Sequence, residues 1–218
     1  MREIFHGQLE QLGGDLAMMC GLVSEAMTRA SQGLLDTDLT LVEGVITDDE
    51  QISALAAQCE EHACAMLALQ SPVAKDLRTV ITAIKAGEKI NRMGDLARHV
   101  AEVARLRHPQ PAVPAQLTDR FAEMARLGVQ ACNHLERSIA APTGDDWPAM
   151  LQADDRVDQL QHEVVEEVSN AEPPYPIQVG VDVALLARYF ERFADQAVSI
   201  ARQLDYVVTG AVPEQPTT

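Results

Sequence analysis

The side chains best placed to do chemistry are two pairs of carboxylates in the second half of the chain. Asp154 and Asp158 are four residues apart, and so are Glu191 and Asp195. On a helix this spacing puts both members of a pair on one face, where exposed like charges repel by roughly 0.2–0.5 kcal/mol. His162 lies one further turn along the face of the first pair. A fold that keeps these charges close therefore needs a cation, which can be a metal ion or an arginine.

The metal interpretation requires the two helices to pack antiparallel at the level of the pairs. Four carboxylates would then converge, with the imidazole of His162 beside them. Carboxylate-rich sites prefer hard or borderline cations, so the predicted cofactor is a divalent or iron-type ion such as Fe, Mn, Mg or Zn. The alternative function is therefore a carboxylate-site metal-binding protein or a metalloenzyme. The Glu-x-x-His pairs of di-iron bundles are absent here, which argues against oxidase chemistry.

The arginine interpretation needs no metal. Arg188 and Arg192 each precede one carboxylate of the second pair by three residues, and Arg156 lies between Asp154 and Asp158. Salt bridges at these spacings could neutralise the carboxylates on their own. Both interpretations stay open from the sequence.

A degraded copy of the site lies in the first half. The segment 90–101, I-N-R-M-G-D-L-A-R-H-V-A, repeats 190–201, F-E-R-F-A-D-Q-A-V-S-I-A, and the residue classes coincide at six consecutive positions. Asn91 replaces the glutamate, Ser53 stands where the second half has an aspartate, and Asp49 and Asp95 remain, with Glu88 and His99 nearby. Because carboxylate count largely sets affinity for a hard cation, Asp49, Asn91 and Asp95 form a weaker candidate site. Asp95 is expected to pair with Arg92, Arg98 or an arginine of another helix.

The elements that position these residues are predicted to be helices throughout. Apolar residues recur at i, i+3, i+4 and i+7 in six segments, which end near residues 35, 69, 107, 140, 170 and 209. Asp145 or Asp146 is expected to cap the fifth helix. The predicted fold is all-α, a tandem duplication of two antiparallel three-helix bundles. It comprises a first repeat over 1–107, a proline-rich linker over 108–114, a second repeat over 115–210 and a disordered tail over 211–218. Helices of ~30 residues are ~45 Å long, so an elongated molecule is expected.

Composition narrows the function classes. The net charge of -16 argues against nucleic acid or anionic lipid as a partner. No apolar stretch approaches the ~20 residues of a membrane span, so membrane insertion is not expected. The four cysteines, Cys20, Cys59, Cys64 and Cys132, have no C-x-x-C spacing and predict reduced core residues of a cytoplasmic protein. Glycine-rich phosphate loops and nucleophile elbows are missing, so no catalytic residues and no enzyme activity are predicted.

Several motifs together resemble one family. They are S-P-V-A-K-D-L-R at 71–78, R-M-G-D-L-A at 92–97, R-F-A-D-Q-A at 192–197 and M-C-G-L at 19–22. In order and spacing they are similar to the PhoU family, and most similar to its actinobacterial members. The resemblance implies a cytoplasmic adaptor between the ATPase subunit of the phosphate ABC transporter and a sensor histidine kinase. It implies negative regulation of the phosphate-starvation response and a homodimer. Some family members bind metals through Glu/Asp-x-x-x-Asp motifs, which Glu191 with Asp195 and Asp154 with Asp158 match here.

Overall fold

The helical prediction is confirmed over the part of the chain that can be described. The structure, a computed structural model, describes residues 2–211, and the predicted tail lies outside that range from residue 212 onward. Between residues 2 and 211 the chain forms six α-helices and one short 3-10 turn, with no strand. The helices are α1 (Arg2–Asp36), α2 (Leu39–Gln70), α3 (Ala74–Arg107), α4 (Thr118–Ala140), α5 (Asp146–Asn170) and α6 (Ile177–Thr209).

Local chemistry explains most of the helix ends. The Asp38 carboxylate accepts hydrogen bonds from the first backbone N–H groups of α2 and so caps that helix. Ser71 ends α2 in a left-handed conformation, with φ of 46°, just before Pro72. Gly210 ends α6 in the same region, with φ of 71°, which glycine adopts without strain. Pro148 lies in the first turn of α5, where the missing N–H costs nothing.

Asp145 occupies the N-cap position of α5, as the sequence predicts, but the capping hydrogen bonds come from elsewhere. Neither Asp145 nor Asp146 caps the helix with its own side chain. The carboxylate of Asp205, near the end of α6, accepts from the backbone N of Asp146 at 3.0 Å and of Trp147 at 3.1 Å. A residue from the neighbouring helix therefore satisfies the N–H groups that a local cap would otherwise bind.

The two repeats pack against each other along their length. Helices α1, α2 and α3 form the first repeat and α4, α5 and α6 the second, while α1 also packs on α4 and α3 on α6. Helices α2 and α5 are therefore the outer pair. One hydrophobic cluster runs through both repeats, with Met19 and Ile90 fully buried in the first and Phe121 and Phe193 in the second. The fold is two three-helix bundles that share a core.

Polar contacts cross the boundary between the repeats. Ser24 Oγ of α1 donates to Asn133 Oδ1 of α4 at 2.7 Å. The guanidinium of Arg107, at the end of α3, pairs with the buried carboxylate of Asp182, near the start of α6. The connecting segment 108–114 packs on the same core, since Ala112 and Val113 are buried. A 3-10 turn over Ala115–Leu117 follows, so α4 begins three residues later than the sequence indicates.

The cysteine prediction is correct for three of the four residues. Cys20, Cys59 and Cys132 are buried, and all four are free thiols. Cys64 is exposed, because it lies on the outward face of the outer helix α2. None of the helices described between residues 2 and 211 is long and apolar enough to cross a membrane.

Candidate metal centre

Helices α5 and α6 bring three of the predicted carboxylates together. The two helices run antiparallel, because Asp146 at the start of α5 meets Asp205 near the end of α6. In the middle of this pair, one carboxylate oxygen each of Asp158, Glu191 and Asp195 lies within 4.8 Å of the others. Within residues 2–211, this is the one group of three such donors close enough to share an ion. The geometry is that of a carboxylate site open to one side, since Glu191 is buried, Asp158 half-buried and Asp195 exposed.

Two carboxylate oxygens at this place are buried without a hydrogen-bond partner. They are Oε2 of Glu191 and Oδ1 of Asp154. Buried polar atoms are nearly always satisfied, so each orphaned oxygen calls for an explanation. An ion or a proton would supply the missing partner.

The pKa values of three carboxyl groups at this site are raised. Burial, reinforced by the charge of Asp195, raises the pKa of Glu191 to about 7, although Arg188 opposes the shift. Burial and then the charges of Asp195 and Asp158 raise the pKa of Asp154 to about 7. Burial and Asp195 also raise the pKa of Asp158. The pKa values of all three carboxyl groups are thus raised, mainly because the groups are buried and secondly because their negative charges lie close together.

The salt bridges of the arginine interpretation form only in part. Arg188 pairs with Glu191 as the spacing predicts. The expectation for Arg156 is wrong: its guanidinium turns to α4 and binds both oxygens of Glu123 at 3.0 Å, with Glu163 at 3.3 Å. Among the described residues, Arg192 forms no salt bridge with Asp195. One exposed arginine therefore faces a group of four carboxylates.

The remaining predicted ligands lie beside the group of three. Asp154 is one turn before Asp158 and is coupled to it and to Asp195 through charge, as its raised pKa shows. His162 is exposed, and its Nδ1 lies 2.7 Å from the backbone carbonyl oxygen of Asp158 in its own helix. A ring held in this way keeps Nε2 free, but the three converging donors do not include it.

The copy in the first repeat is arranged differently. Arg98 contacts Asp49 at 2.9 Å, Asp95 at 3.3 Å and Glu102 at 2.6 Å. Of the partners expected for Asp95, Arg98 is the one that binds it. Asn91 instead accepts a hydrogen bond from Ser53 Oγ at 3.2 Å. The three predicted residues Asp49, Asn91 and Asp95 are therefore already engaged with side chains of the chain itself.

Sequence reasoning missed a buried polar cluster at the start of α5. Asp146 accepts hydrogen bonds from the hydroxyl of Ser138 and the backbone N of Thr143, and lies 3.4 Å from Nε2 of His134. These bonds outweigh burial and lower the pKa of Asp146. Asp205, the distant cap, lies beside it with a pKa raised by burial. The signal available in the sequence was an aspartate within an otherwise apolar stripe of α6, D-Y-V-V at 205–208.

Comparison with known proteins places the whole chain in one group. A PhoU domain model matches twice, at residues 16–104 and again at 121–204, once within each predicted repeat. The chain belongs to the PhoU family. Two mycobacterial relatives of PhoU support this over nearly full length. The "phosphate-specific transport system accessory protein PhoU homolog 2" of Mycobacterium tuberculosis is 43% identical over 213 residues, which is 98% of this chain and 100% of the relative. The PhoU homolog 1 of Mycobacterium leprae is 42% identical over 217 residues, which is 100% of this chain and 98% of the relative.

Solved PhoU structures share the fold. The phosphate transport system regulatory protein PhoU from Streptococcus pneumoniae superposes with a TM-score of 0.88 at 23% identity, covering 97% of this chain and 100% of that one. PhoU from Pseudomonas aeruginosa gives 0.83 at 25% identity, covering 95% and 100%. The six-helix arrangement is thus the PhoU fold.

Proposed function

We propose that this chain is a cytoplasmic, non-enzymatic negative regulator of phosphate homeostasis. It links the ATPase subunit of the phosphate ABC transporter to a sensor histidine kinase and acts as a homodimer. The observation that carries the proposal is the double PhoU match, together with relatives of the same length that are named accessory proteins of phosphate-specific transport. The acidic surface, with a net charge of -16, suits basic patches on protein partners.

Deletion of the gene tests the regulatory role. A phosphate-starvation promoter driving a fluorescent reporter should stay active in phosphate-rich medium when the gene is absent, and the wild-type gene should restore repression. Deleting the kinase gene as well should silence the reporter, because the signal passes through the kinase. Repression that persists in the single deletion strain would refute the regulatory role.

Binding of the two partners is a separate test. The full chain should co-purify with the ATPase subunit and, in a second experiment, with the cytoplasmic part of the kinase. Higher salt should weaken both complexes, because charge complementarity contributes to them. If neither protein binds at low salt, the adaptor mechanism is wrong even where deletion derepresses the reporter.

A second candidate function, metal binding, is favoured by the α5–α6 site. We infer that Asp158, Glu191 and Asp195 hold a divalent or iron-type cation, with Asp154 beside them. The support is the convergence of three donors within 4.8 Å and the two orphaned buried oxygens. An all-oxygen donor set favours Mn, Mg or Fe over Zn. When bound, such an ion supplies positive charge that lets these carboxyl groups ionise together, and it fixes α5 against α6.

Elemental analysis by ICP-MS on untagged protein, purified without chelator, tests the site. The parent protein should contain near-stoichiometric metal, and Asp158→Ala/Glu191→Ala should lose it. Asp155→Ala is the matched control, since Asp155 lies on the same helix but is exposed and outside the group of donors. Metal-free parent protein that also fails to bind added Mn²⁺ would rule the site out.

A further inference from the structure

Arg98 makes an unusually complete set of charge contacts in the first repeat. Its three guanidinium nitrogens each lie within salt-bridge distance of a different carboxylate: Asp49 of α2 at 2.9 Å, and Asp95 and Glu102 of α3 at 3.3 and 2.6 Å. The two contacts within α3 are also hydrogen bonds. The side chain is only 26% exposed. The guanidinium of Arg98 thus links α2 to α3. It lies at the level equivalent to the place where Asp158, Glu191 and Asp195 converge in the second repeat.

The same positions in the second repeat carry the opposite arrangement. Aligned through the duplicated segment, Arg98 corresponds to Val198, which cannot neutralise charge. Asn91 corresponds to Glu191, and Ser53 corresponds to Asp158. Relative to the second repeat, the first repeat therefore lacks two carboxylates and has a guanidinium where the second repeat has Val198. Within the described part of the chain, the one arginine at these second-repeat carboxylates is Arg188, which is exposed and pairs with Glu191 alone.

The first-repeat residues do not fit a metal ion. Asp49 and Asp95 already bind Arg98, and the side chains of Ser53 and Asn91 bind each other at 3.2 Å. Within residues 2–211, three ligating side chains converge only in the second repeat. A cation entering the first repeat would have to displace a guanidinium that makes three salt bridges. Of the four carboxylate positions of the second repeat, the first repeat keeps only two, Asp49 and Asp95.

We propose that Arg98 is a built-in cation that takes the place of a metal ion, so that this chain binds metal in its second repeat alone. The statement about the first repeat rests on the Arg98 contacts, and the statement about the second rests on the metal site proposed above. Packing of α2 against α3 is then independent of metal, whereas packing of α5 against α6 responds to it.

Converting each repeat into the other tests the proposal. Mn²⁺ binding to the untagged full chain, measured by isothermal titration calorimetry after chelator treatment, should show one site per chain. The variant Ser53→Asp/Asn91→Glu/Arg98→Val should bind a second Mn²⁺. The reciprocal variant Val198→Arg should lose the wild-type site while its circular dichroism and Tm stay close to wild type.

Thermal stability in the absence of metal is a second test of the role of Arg98. In chelator, Arg98→Val should lower the Tm more than Arg105→Val. Arg105 is the matched control because it is an exposed arginine of the same helix with a single partner, Glu43, at 3.7 Å. Equal effects of the two substitutions would mean that Arg98 does not neutralise the site, and would overturn the proposal.

The outcomes separate this proposal from the second-repeat metal site. Wild-type protein that binds two ions, one of them lost in Asp49→Asn/Asp95→Asn, would overturn it. So would a folded triple variant that binds no more Mn²⁺ than wild type. Wild-type protein that binds none would refute the second-repeat site, but a gained site in the triple variant would still support the role of Arg98. If the triple variant fails to fold, retention of Mn²⁺ by folded Val198→Arg at wild-type affinity overturns the proposal, whereas its loss supports it.

Discussion

Replacing Glu191 with Gln should stabilise the protein when metal is absent. Glu191 is 9% exposed, and burial, reinforced by the charge of Asp195, raises the pKa of its carboxyl group from 4.5 to about 7. Each unit of pKa difference between folded and unfolded chain corresponds to about 1.4 kcal/mol, so full ionisation costs the folded state at most roughly 3–4 kcal/mol. Because neighbouring carboxylates share part of this cost, a gain of roughly 1–3 kcal/mol is expected for the neutral amide. Gln can still accept the hydrogen bond from Arg188.

The stability gained by Glu191→Gln should depend on pH. Between pH 4.5 and 7 the folded chain retains a proton on Glu191 that the unfolded chain has lost. Rising pH therefore destabilises the metal-free wild type across this window, and the whole cost is present above pH 7. The advantage of Glu191→Gln should be largest at pH 8 and should fall below ~1 kcal/mol at pH 5.

Urea denaturation of wild type and Glu191→Gln in chelator, at pH 5 and pH 8, measures the difference in free energy of unfolding. Thermal denaturation gives the corresponding change in Tm. For a chain of this size, 1–3 kcal/mol corresponds to a rise in Tm of roughly 2–12 °C. Added Mn²⁺ should reverse the order, because ligand binding stabilises the folded wild type and the variant has lost a ligand. Glu123→Gln is the control of opposite sign: Arg156 lowers the pKa of Glu123, so its neutral form should be less stable at pH 8. Wild type at least as stable as Glu191→Gln at pH 8 in chelator would show that Arg188 already compensates the charge.

Three further substitutions test the fold around the site, each by urea denaturation. Asp205→Ala removes the acceptor for two buried N–H groups at the start of α5 and should cost about 1–3 kcal/mol, whereas Asp205→Asn keeps one acceptor oxygen and should cost less. Phe121→Ala empties a fully buried position beside Phe190, whose ring centre is 5.9 Å away, and should cost about 3–5 kcal/mol. Arg107→Ala leaves the buried carboxylate of Asp182 without its partner between the repeats and should cost about 3–5 kcal/mol, so a cost below 1 kcal/mol would mean that this ion pair does not hold α3 to α6.

The sequence predicted the features that depend on local spacing. Helical periodicity and turn residues placed the six helices, and the i, i+4 spacing placed Glu191 and Asp195 on one face. The antiparallel packing of α5 and α6 then determined that Asp158 meets this pair.

Features that depend on the relative rotation of helices were missed. Arg156 is adjacent in sequence to the aspartates of α5, yet its side chain leaves that face and binds Glu123 of α4. The cap of α5 comes from Asp205, 59 residues away along the chain. Cys64 has apolar neighbours in sequence but lies on the outer side of α2. Each depends on which way a helix faces, and tertiary packing decides that.

The duplication gives the two halves different dependence on their surroundings. In the first repeat the guanidinium of Arg98 on α3 pairs with Asp49 on α2 without needing a bound ion. In the second repeat, burial holds α5 and α6 together against the repulsion of their carboxylates. Protonation changes that balance, and a metal ion at the proposed site would change it as well. A ligand shifts a conformational equilibrium only by binding its two states differently, and a site whose carboxylates repel when empty satisfies that condition. Helix α6, which carries Glu191 and Asp195, also contacts α3 of the first repeat. Arg107 pairs with Asp182, and the ring of His99 lies against that of Tyr189. A shift of α6 would therefore reach α3 through these contacts.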